Sequence, residues 1–304
     1  MSKSLVIFRG YFYSLLILVL LLSGSLTAGC SKNAGAERRF QLKGRVVAVD
    51  LANGKVEVDH EEIPGYMPAM QMPFSLADAE ALKTIESGDE IQATLVVNDL
   101  GYRLEQPIIT KALPGGAAAS QAASAAEPKP GAEIPDFKLV NQDGKATKLR
   151  QPAGRSLLLT FIYTRCPLPD FCPLISGNFA EINRELEKDP ALRDRTHLLS
   201  VTIDPAYDTP KVLRSYGGGY TEKYGTETFE HWEFATGEPA EIKRLATFFG
   251  LSYMAEKDQI IHSLRTALIG PDGRLFKVYR GNEWKPADVL QDIRNLPVPA
   301  EARP

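Results

Sequence analysis

Residues 157–173 read LLLTFIYTRCPLPDFCP, and this stretch decides how the second half of the 304-residue chain is interpreted. The run Leu157–Tyr163 is continuously apolar and rich in strand-favouring residues, which is typical of a buried strand. Cys166 follows it, and Cys172 stands just ahead of Pro173, a residue favoured at the first position of a helix. Because aligned peptide dipoles at a helix start stabilise a thiolate, both cysteines are predicted to suit nucleophilic attack and metal ligation.

The segments after this loop alternate between helix and strand patterns. Pro173–Lys188 and Pro239–Phe249 have helical spacing, His197–Ile203 is strand-like, and a late turn at Gly270–Gly273 separates two short strand-like runs. Alternation of this kind predicts βα units on a central sheet. A strand, a cysteine-bearing loop and a helix, closed by a late hairpin and a last helix, follow the thioredoxin plan. Residues 133–304 are therefore predicted to form an α/β, thioredoxin-like domain.

The earlier part of the chain follows a different pattern. Residues 38–112 alternate short apolar runs with turns, as in the runs Gly44–Asp50 and Lys55–Asp59 on either side of the turn Ala52–Gly54. This predicts a small antiparallel barrel or sandwich, and we expect an all-β barrel domain. Residues 113–132 are rich in Gly, Ala, Ser and Pro without periodicity, which predicts a flexible linker between the two domains.

Residues 1–30 are predicted to direct export. Lys3 and Arg9 precede the apolar run Tyr11–Leu22, and small residues lead from there to Cys30, as in a secretory signal with a cleavage site. The end of this segment resembles the lipobox of bacterial lipoproteins, which implies acylation of Cys30 and attachment to a membrane through the lipid. An uncleaved membrane anchor is the alternative, but the apolar run is well under the ~20 residues needed to span. We expect a periplasm-facing, membrane-anchored lipoprotein of the cell envelope.

Charge and cysteine count narrow the class of function. The formal net charge is −3 and no Lys/Arg-rich tract appears beyond the N-terminal flank, so nucleic-acid binding is not expected. Apart from Cys30, the chain has two cysteines, Cys166 and Cys172. In an exported protein such a pair can be a structural disulfide, a redox couple or a soft-metal site, and counting alone favours the disulfide.

Three motifs in a fixed order bear on this choice. The cysteine loop is followed by DPAYDTP at 204–210 and by IHS at 261–263, ahead of a Pro-Asp-Gly turn. Over residues 133–296 these motifs resemble the Sco/SenC copper proteins. One departure is that five residues, rather than the three of that family, separate the cysteines. The resemblance implies that three side chains bind one copper ion, as Cu(I) or Cu(II): Cys166, Cys172 and His262.

The chemistry of these side chains agrees with that assignment. Two soft thiolates suit Cu(I) and an imidazole helps the same site hold Cu(II), although sulfur with nitrogen also fits zinc. Asp204 and Asp208 favour the start of a helix for which Thr209 is a natural N-cap, and both are also candidates for a position beside the metal ligands. His197 and His231 lie in strand-like runs, match no ligand position and are interpreted as structural.

Three of the five methionines cluster after His60 in the predicted barrel: Met67, Met70 and Met72. Thioethers bind Cu(I), and Met70 and Met72 on one strand would point to the same face, but methionines also fill barrel cores. The segment resembles the small periplasmic copper carriers of efflux systems, five-stranded barrels with a His followed by a Met-x-Met pair. That resemblance implies a second Cu(I) site. Met67 replaces the aromatic residue that stacks on the metal in those carriers, and Tyr66 is a candidate substitute.

Three functions remain open at this level. The Sco/SenC resemblance implies a metallochaperone that delivers copper to the dinuclear copper centre of a haem–copper (cytochrome c) oxidase. Its expected partner is the copper-bearing subunit of that oxidase or another envelope copper acceptor. The alternatives are a thiol–disulfide oxidoreductase that reduces the cysteines of such a protein through a mixed disulfide, and a disulfide-stapled scaffold. His262 favours metal binding, because disulfide exchange needs no imidazole ligand.

Overall fold

The computed structural model describes residues 37–98, 101–112, 127–150, 154–256 and 259–297. The predicted signal segment with Cys30, and residues 113–126 of the predicted linker, lie outside these ranges. The described residues from Arg38 onward belong to one compact unit. Among the described helices, none has the length and apolar character that crossing a membrane requires.

The first part of the chain folds into a closed five-stranded barrel in the order β1-β2-β3-β5-β4. A short helix, α1 (Ala79–Thr84), stands between the third and fourth strands, and the strands are β1 (Arg38–Asp50), β2 (Lys55–His60), β3 (Met70–Leu76), β4 (Glu90–Asn98) and β5 (Gly101–Thr110). β1 is longer than predicted because residues 38–45 pair with β4 and residues 44–50 pair with β2. At Gly44, where the partners change, a Cβ would lie only 2.6 Å from the carbonyl oxygen of Asp59, so glycine permits the close approach of β2.

The second part contains a seven-stranded sheet in the order β14-β13-β8-β9-β10-β6-β7. The three central strands run parallel to one another, and the flanking strands pair antiparallel. The central strands are β8 (Ser156–Ile162), β9 (Thr196–Thr202) and β10 (Trp232–Gly237). The flanking strands are β6 (Leu139–Asn141), β7 (Ala146–Thr147), β13 (Arg265–Ile269) and β14 (Leu275–Arg280), and a separate hairpin consists of β11 (Tyr253–Glu256) and β12 (Gln259–His262).

Helices accompany this sheet, and every residue of β8 and β9 is buried, as expected for strands covered on both faces. The helices are α2 (Cys172–Glu187), α3 (Pro190–Asp194), α4 (Pro210–Thr221), α5 (Pro239–Phe248) and α6 (Pro286–Asn295). α4 begins as predicted, with Thr209 as the N-cap that accepts from the N–H of Val212. α2 begins at Cys172 rather than at Pro173, because the N–H of Ile175 already bonds to the carbonyl of Phe171.

The predicted fold class, an all-β barrel followed by a thioredoxin-like α/β part, is confirmed. The cysteine loop follows the central strand β8 and leads directly into α2. It therefore lies at the carboxyl end of the parallel strands, the edge at which α/β sheets generally place their functional residues.

Candidate metal centre

The side chains of Cys166, Cys172 and His262 come together beyond the end of β8. Cys166 lies in the loop, Cys172 is the first residue of α2, and His262 ends β12. Their ligand atoms, two sulfurs and one ring nitrogen, all lie within 4.8 Å of one another. Sγ of Cys172 is 3.7 Å from Nε2 of His262. The loop of five residues therefore allows both sulfurs to face one imidazole.

The surroundings of His262 hold its ring in one tautomer and one orientation. A carbonyl oxygen only accepts, so Nδ1 carries the proton and donates it to the carbonyl of Ser263 at 2.9 Å. In the neutral ring the lone pair is therefore on Nε2, which faces Sγ of Cys172. The rings of Tyr163 and Phe171 contact the imidazole edge-on, each with ring centroids 5.6 Å apart. A hydrogen bond from the non-ligating ring nitrogen to a backbone carbonyl, as at Nδ1 here, is the kind of contact that orients histidine ligands at metal sites.

The two thiols differ in acidity. A hydrogen bond from Cys172 lowers the pKa of Cys166 to about 4, and His262 acts in the same direction. Complete burial raises the pKa of Cys172 well above its usual value. The expectation that both thiols favour the thiolate therefore holds for Cys166 and is wrong for Cys172, because desolvation of the buried sulfur outweighs the charge of the helix terminus.

Asp208 supports the backbone on the amino side of the first cysteine. It is fully buried, and its carboxylate accepts from the N–H of Thr164 at 3.1 Å and from the hydroxyls of Thr164 and Thr202. Burial raises the pKa of Asp208. Asp204 forms an ion pair with Arg165 at 2.7 Å. Both aspartates thus hold the loop in place, and neither belongs to the ligand cluster of the described residues.

A second cluster lies in the core of the barrel around His60. The ring is fully buried, and its Nδ1–H donates to the carbonyl of Glu61 at 2.7 Å. Within the described ranges, Nε2 of His60 has no hydrogen-bond partner. Burial also lowers the pKa of His60, so the imidazole is neutral at physiological pH. A buried nitrogen with a free lone pair is uncommon in folded proteins and is suited to bind a metal ion.

The methionines of the barrel share this core. β2 and β3 pair so that His60 lies directly opposite Met70. Because side chains alternate along a strand, Met70 and Met72 point to the same inner face, and both are fully buried. Met67 is also buried, in the turn that precedes β3. The structure thus brings the three predicted thioethers into the barrel core that also contains the imidazole.

Sequence reasoning missed two aromatic residues of the cysteine site, Tyr163 and Phe171. Burial raises the pKa of Tyr163, and its hydrogen bond with Cys166 adds to this effect, so the phenol stays protonated beside the thiolate. Tyr163 and Phe171 lie close in sequence to the cysteines, and this proximity could have identified them as residues of the site. Tyr66, the candidate for stacking on a metal in the barrel, stacks on Phe40 with ring centroids 4.3 Å apart.

The two remaining histidines lie outside both clusters, as predicted. His197 is in β9, and its Nε2 bonds to the carboxylate of Glu233 at 3.1 Å. Against the effect of burial, this bond and two others lower the pKa of Glu233 to about 2. His231 precedes β10 rather than lying within a strand, and its carbonyl accepts from the N–H of Leu198 at 2.8 Å.

Comparisons with known proteins agree with the family resemblance predicted for each of the two parts of the chain. The SCO1/SenC family model matches residues 125–297, and that of the copper binding periplasmic protein CusF matches residues 39–107. The SCO1 protein homolog of Bacillus subtilis (strain 168) is 30% identical over 168 residues, which cover 54% of this chain and 82% of that protein.

Two solved structures are similar to about half of this chain. Bradyrhizobium japonicum ScoI with copper bound is 26% identical and covers 55% of this chain and 100% of that chain, with a TM-score of 0.45. The second structure is BsSco, a member of the Sco family of cytochrome c oxidase assembly proteins, in which a disulfide switch was identified. It is 30% identical, and the match covers 55% of this chain and 94% of that chain with a TM-score of 0.44. The family model spans more than half of the residues, including both cysteines and the histidine that converge beyond β8. The chain therefore belongs to the SCO1/SenC family.

Proposed function

We propose that this chain is a copper metallochaperone that binds copper through Cys166, Cys172 and His262. The observation that carries this proposal is the convergence of two sulfurs and a lone-pair nitrogen within 4.8 Å, with the opposite ring nitrogen bonded to a carbonyl. Soft sulfur ligands suit Cu(I), and the added imidazole suits Cu(II). The copper-bound ScoI structure, from a member of the same family, supports the choice of metal.

Exposure separates the roles of the three ligands. Cys172 and His262 are buried, whereas Cys166 is partly exposed. An incoming ligand from another protein can therefore reach the site past Cys166 while the two buried residues still hold the metal. This arrangement suits transfer by ligand exchange. The proposed acceptor is the copper-bearing subunit of a haem–copper (cytochrome c) oxidase, in line with the description of BsSco as a cytochrome c oxidase assembly protein.

The barrel is proposed to take up Cu(I) at a second site. Its ligands would be the free Nε2 of His60 and the thioethers of Met70 and Met72, with Met67 as a further sulfur. Thioethers are neutral, soft ligands, so they can be buried without the cost of an added charge. The match of this segment to the copper binding periplasmic protein CusF supports the assignment.

A thiol–disulfide oxidoreductase is the second candidate function, favoured by the different acidities of the two thiols. The Cys166 thiolate, with a pKa of about 4 and partial exposure, is suited to attack a disulfide of an acceptor protein. The attack forms a mixed disulfide and releases one acceptor thiolate. Cys172 would then displace the second acceptor sulfur, leaving a Cys166–Cys172 disulfide and a reduced acceptor. The disulfide switch identified in BsSco supports this alternative.

The site of action is proposed to be the periplasmic side of the cell envelope. Support comes from the predicted export signal and the lipobox-like sequence ending at Cys30, and from the match of residues 39–107 to a periplasmic protein. Incorporation of labelled fatty acid into the chain, and its loss in Cys30→Ser, would establish the lipid anchor. An unlabelled wild-type chain would contradict it.

One titration separates the two candidate functions. Cu(I) and Cu(II) are added separately to the reduced full chain, to Cys166→Ser, Cys172→Ser and His262→Ala, and to His231→Ala as a control outside the clusters. A chaperone site loses high-affinity Cu(II) in all three ligand variants and retains it in the control. If His262→Ala binds Cu(II) with wild-type affinity and spectrum, the three-ligand site is wrong. Retained reduction of a disulfide substrate by His262→Ala would then favour the oxidoreductase.

A further inference from the structure

One outer face of the barrel is buried although strand geometry directs it away from the barrel core. In β2, Val58 points inwards, so its neighbour Glu57 points outwards, yet Glu57 is only 5% exposed. Gln71 of β3 is likewise 9% exposed and donates to Glu57 at 2.9 Å. Polar side chains that face outwards and are still buried show that another part of the chain covers this face, which we call the β2–β3 face.

The cover is the thioredoxin-like part, at the end that carries the cysteines. Gly281, just after β14, lies so close to Glu57 that a Cβ there would be 2.0 Å from its carboxylate oxygen. Burial raises the pKa of both Glu57 and Asp59, and Glu283 adds to this effect at Glu57. The positive charges of Arg265 and Arg280 oppose it at both carboxyls, so basic groups of the thioredoxin-like part lie near the acidic groups of the β2–β3 face. Shape and charge thus both fit the β2–β3 face to the start of β13 and the end of β14.

The same contact reaches the loop between the cysteines. Lys55, at the start of β2, forms an ion pair with Asp170 at 2.5 Å. The backbone carbonyl of Asp170 accepts from the side-chain amide of Asn282 at 2.8 Å. Gly101 of β5 approaches Leu168, so that a Cβ at the glycine would be 3.8 Å from that side chain. The loop is therefore held on one side by its own domain and on the other side by the barrel.

We propose that the β2–β3 face is a docking surface for the cysteine loop, and that docking makes Lys55 a positioning residue for the thiols. Asp170 lies two residues before Cys172, so a contact that holds Asp170 also restricts the motion that would expose the buried sulfur. The barrel thus controls access to the cysteines in addition to any metal that it binds. This role does not depend on copper.

Charge reversal tests the docking contact in the metal-free, reduced full chain. Lys55→Glu places two carboxylates against each other, and Asp170→Lys places two ammonium groups there. We expect each to raise the alkylation rate of Cys172 about two- to fivefold, the range of a single ion pair that is partly open to solvent. The double variant restores the pair and should return to within about twofold of wild type. Lys83→Glu, which alters an exposed residue of α1 paired with Glu80, is the matched control.

In Lys55→Glu the direction of the effect excludes a purely electrostatic origin, whereas in Asp170→Lys the added positive charge would by itself favour the Cys172 thiolate. A negative charge at position 55 would disfavour the Cys172 thiolate and slow alkylation, so a faster reaction requires an opened loop. Small-angle scattering of Lys55→Glu should show a larger radius of gyration than wild type. Unchanged Cys172 alkylation in Lys55→Glu, or additive effects in the double variant, would overturn the proposal.

A steric pair gives a second and independent test. Gly273 and Gly281 stand at the two ends of β14, each with a positive φ, 77° and 64° respectively. Alanine carries similar backbone strain at both. Only at Gly281 does the new Cβ meet the barrel, whereas at Gly273 it meets the flexible side chain of Arg150 at 3.5 Å. Gly281→Ala should therefore speed Cys172 alkylation and Gly273→Ala should not. Equal rates in the two variants would refute docking as the cause.

Discussion

Replacement of His60 by leucine distinguishes a metal ligand from an ordinary core histidine. In the metal-free chain Nε2 is buried and has no partner among the described residues, a condition that costs about 1–3 kcal/mol. Leucine removes this atom and also removes the Nδ1–H bond to the carbonyl of Glu61, which contributes about 0.5–1.5 kcal/mol. The difference predicts that the barrel of His60→Leu lies between about 0.5 kcal/mol less stable and about 2.5 kcal/mol more stable than wild type.

Cu(I) should reverse this order. A ligand that binds only the folded state at 100 times its dissociation constant stabilises that state by about 2.7 kcal/mol. The wild-type barrel should gain this amount, and His60→Leu should gain none. Native-state hydrogen exchange of the β2 and β3 amides in the full chain measures both quantities locally. Cys166→Ser and Cys172→Ser are included in every chain compared, so that Cu(I) cannot act on these strands through the cysteine loop. His231→Leu, which also removes a buried ring nitrogen without a partner in the described residues, should keep the Cu(I)-dependent gain.

The ligand assignment fails if two results occur together. The first is a metal-free His60→Leu barrel that is less stable than wild type by about 2 kcal/mol or more, as for the loss of a well-packed core residue. The second is wild-type β2 and β3 amides that gain no protection from Cu(I). His60 would then be a structural histidine, and the methionines around it would be core residues.

Three further predictions concern the loop, the thiols and the thioethers. Asp208→Asn replaces a buried acceptor oxygen with an NH2 group that faces a donor. It should lower the free energy of unfolding, measured in urea, by about 1.5–3 kcal/mol. An unchanged midpoint of urea unfolding would show that Asp208 does not support the loop. The alkylation rate of Cys166 in the reduced, metal-free chain should be constant between about pH 6 and 8 and should fall as the pH is lowered through about 4. The reason is that the thiolate is the reactive form and the pKa of Cys166 is lowered to about 4. A rate that rises around pH 8–9, as for an ordinary thiol, would contradict this. Met70→Ile combined with Met72→Ile nearly conserves core volume, so each change should cost under about 1.5 kcal/mol while Cu(I) protection of the barrel is lost. Large destabilisation of that variant, with no Cu(I) binding by the wild type, would instead favour core filling.

Much of the secondary structure followed from local patterns. The buried strand Ser156–Ile162, the helix start at Pro210 behind its Thr209 cap, and the late hairpin were all predictable, because periodicity, capping and turn chemistry involve neighbours in sequence. The helix Ala79–Thr84 was not predicted, since its six residues are too few to show a helical period. β1 was predicted too short because its first residues pair with β4, more than 40 residues later in the sequence.

The candidate ligands could be chosen from the sequence, but their states could not. Residue type and order pointed to Cys166, Cys172 and His262, because soft-metal chemistry depends on the identity of the donor atoms. The opposite acidities of the two thiols depend on how deeply each sulfur is buried, and the tautomer of His262 depends on the carbonyl of Ser263. The covering of the β2–β3 face depends on Gly281, more than 200 residues from Glu57. These properties come from contacts between distant segments, and no local pattern in a sequence records which distant groups will exclude water from a side chain or donate a hydrogen bond to it.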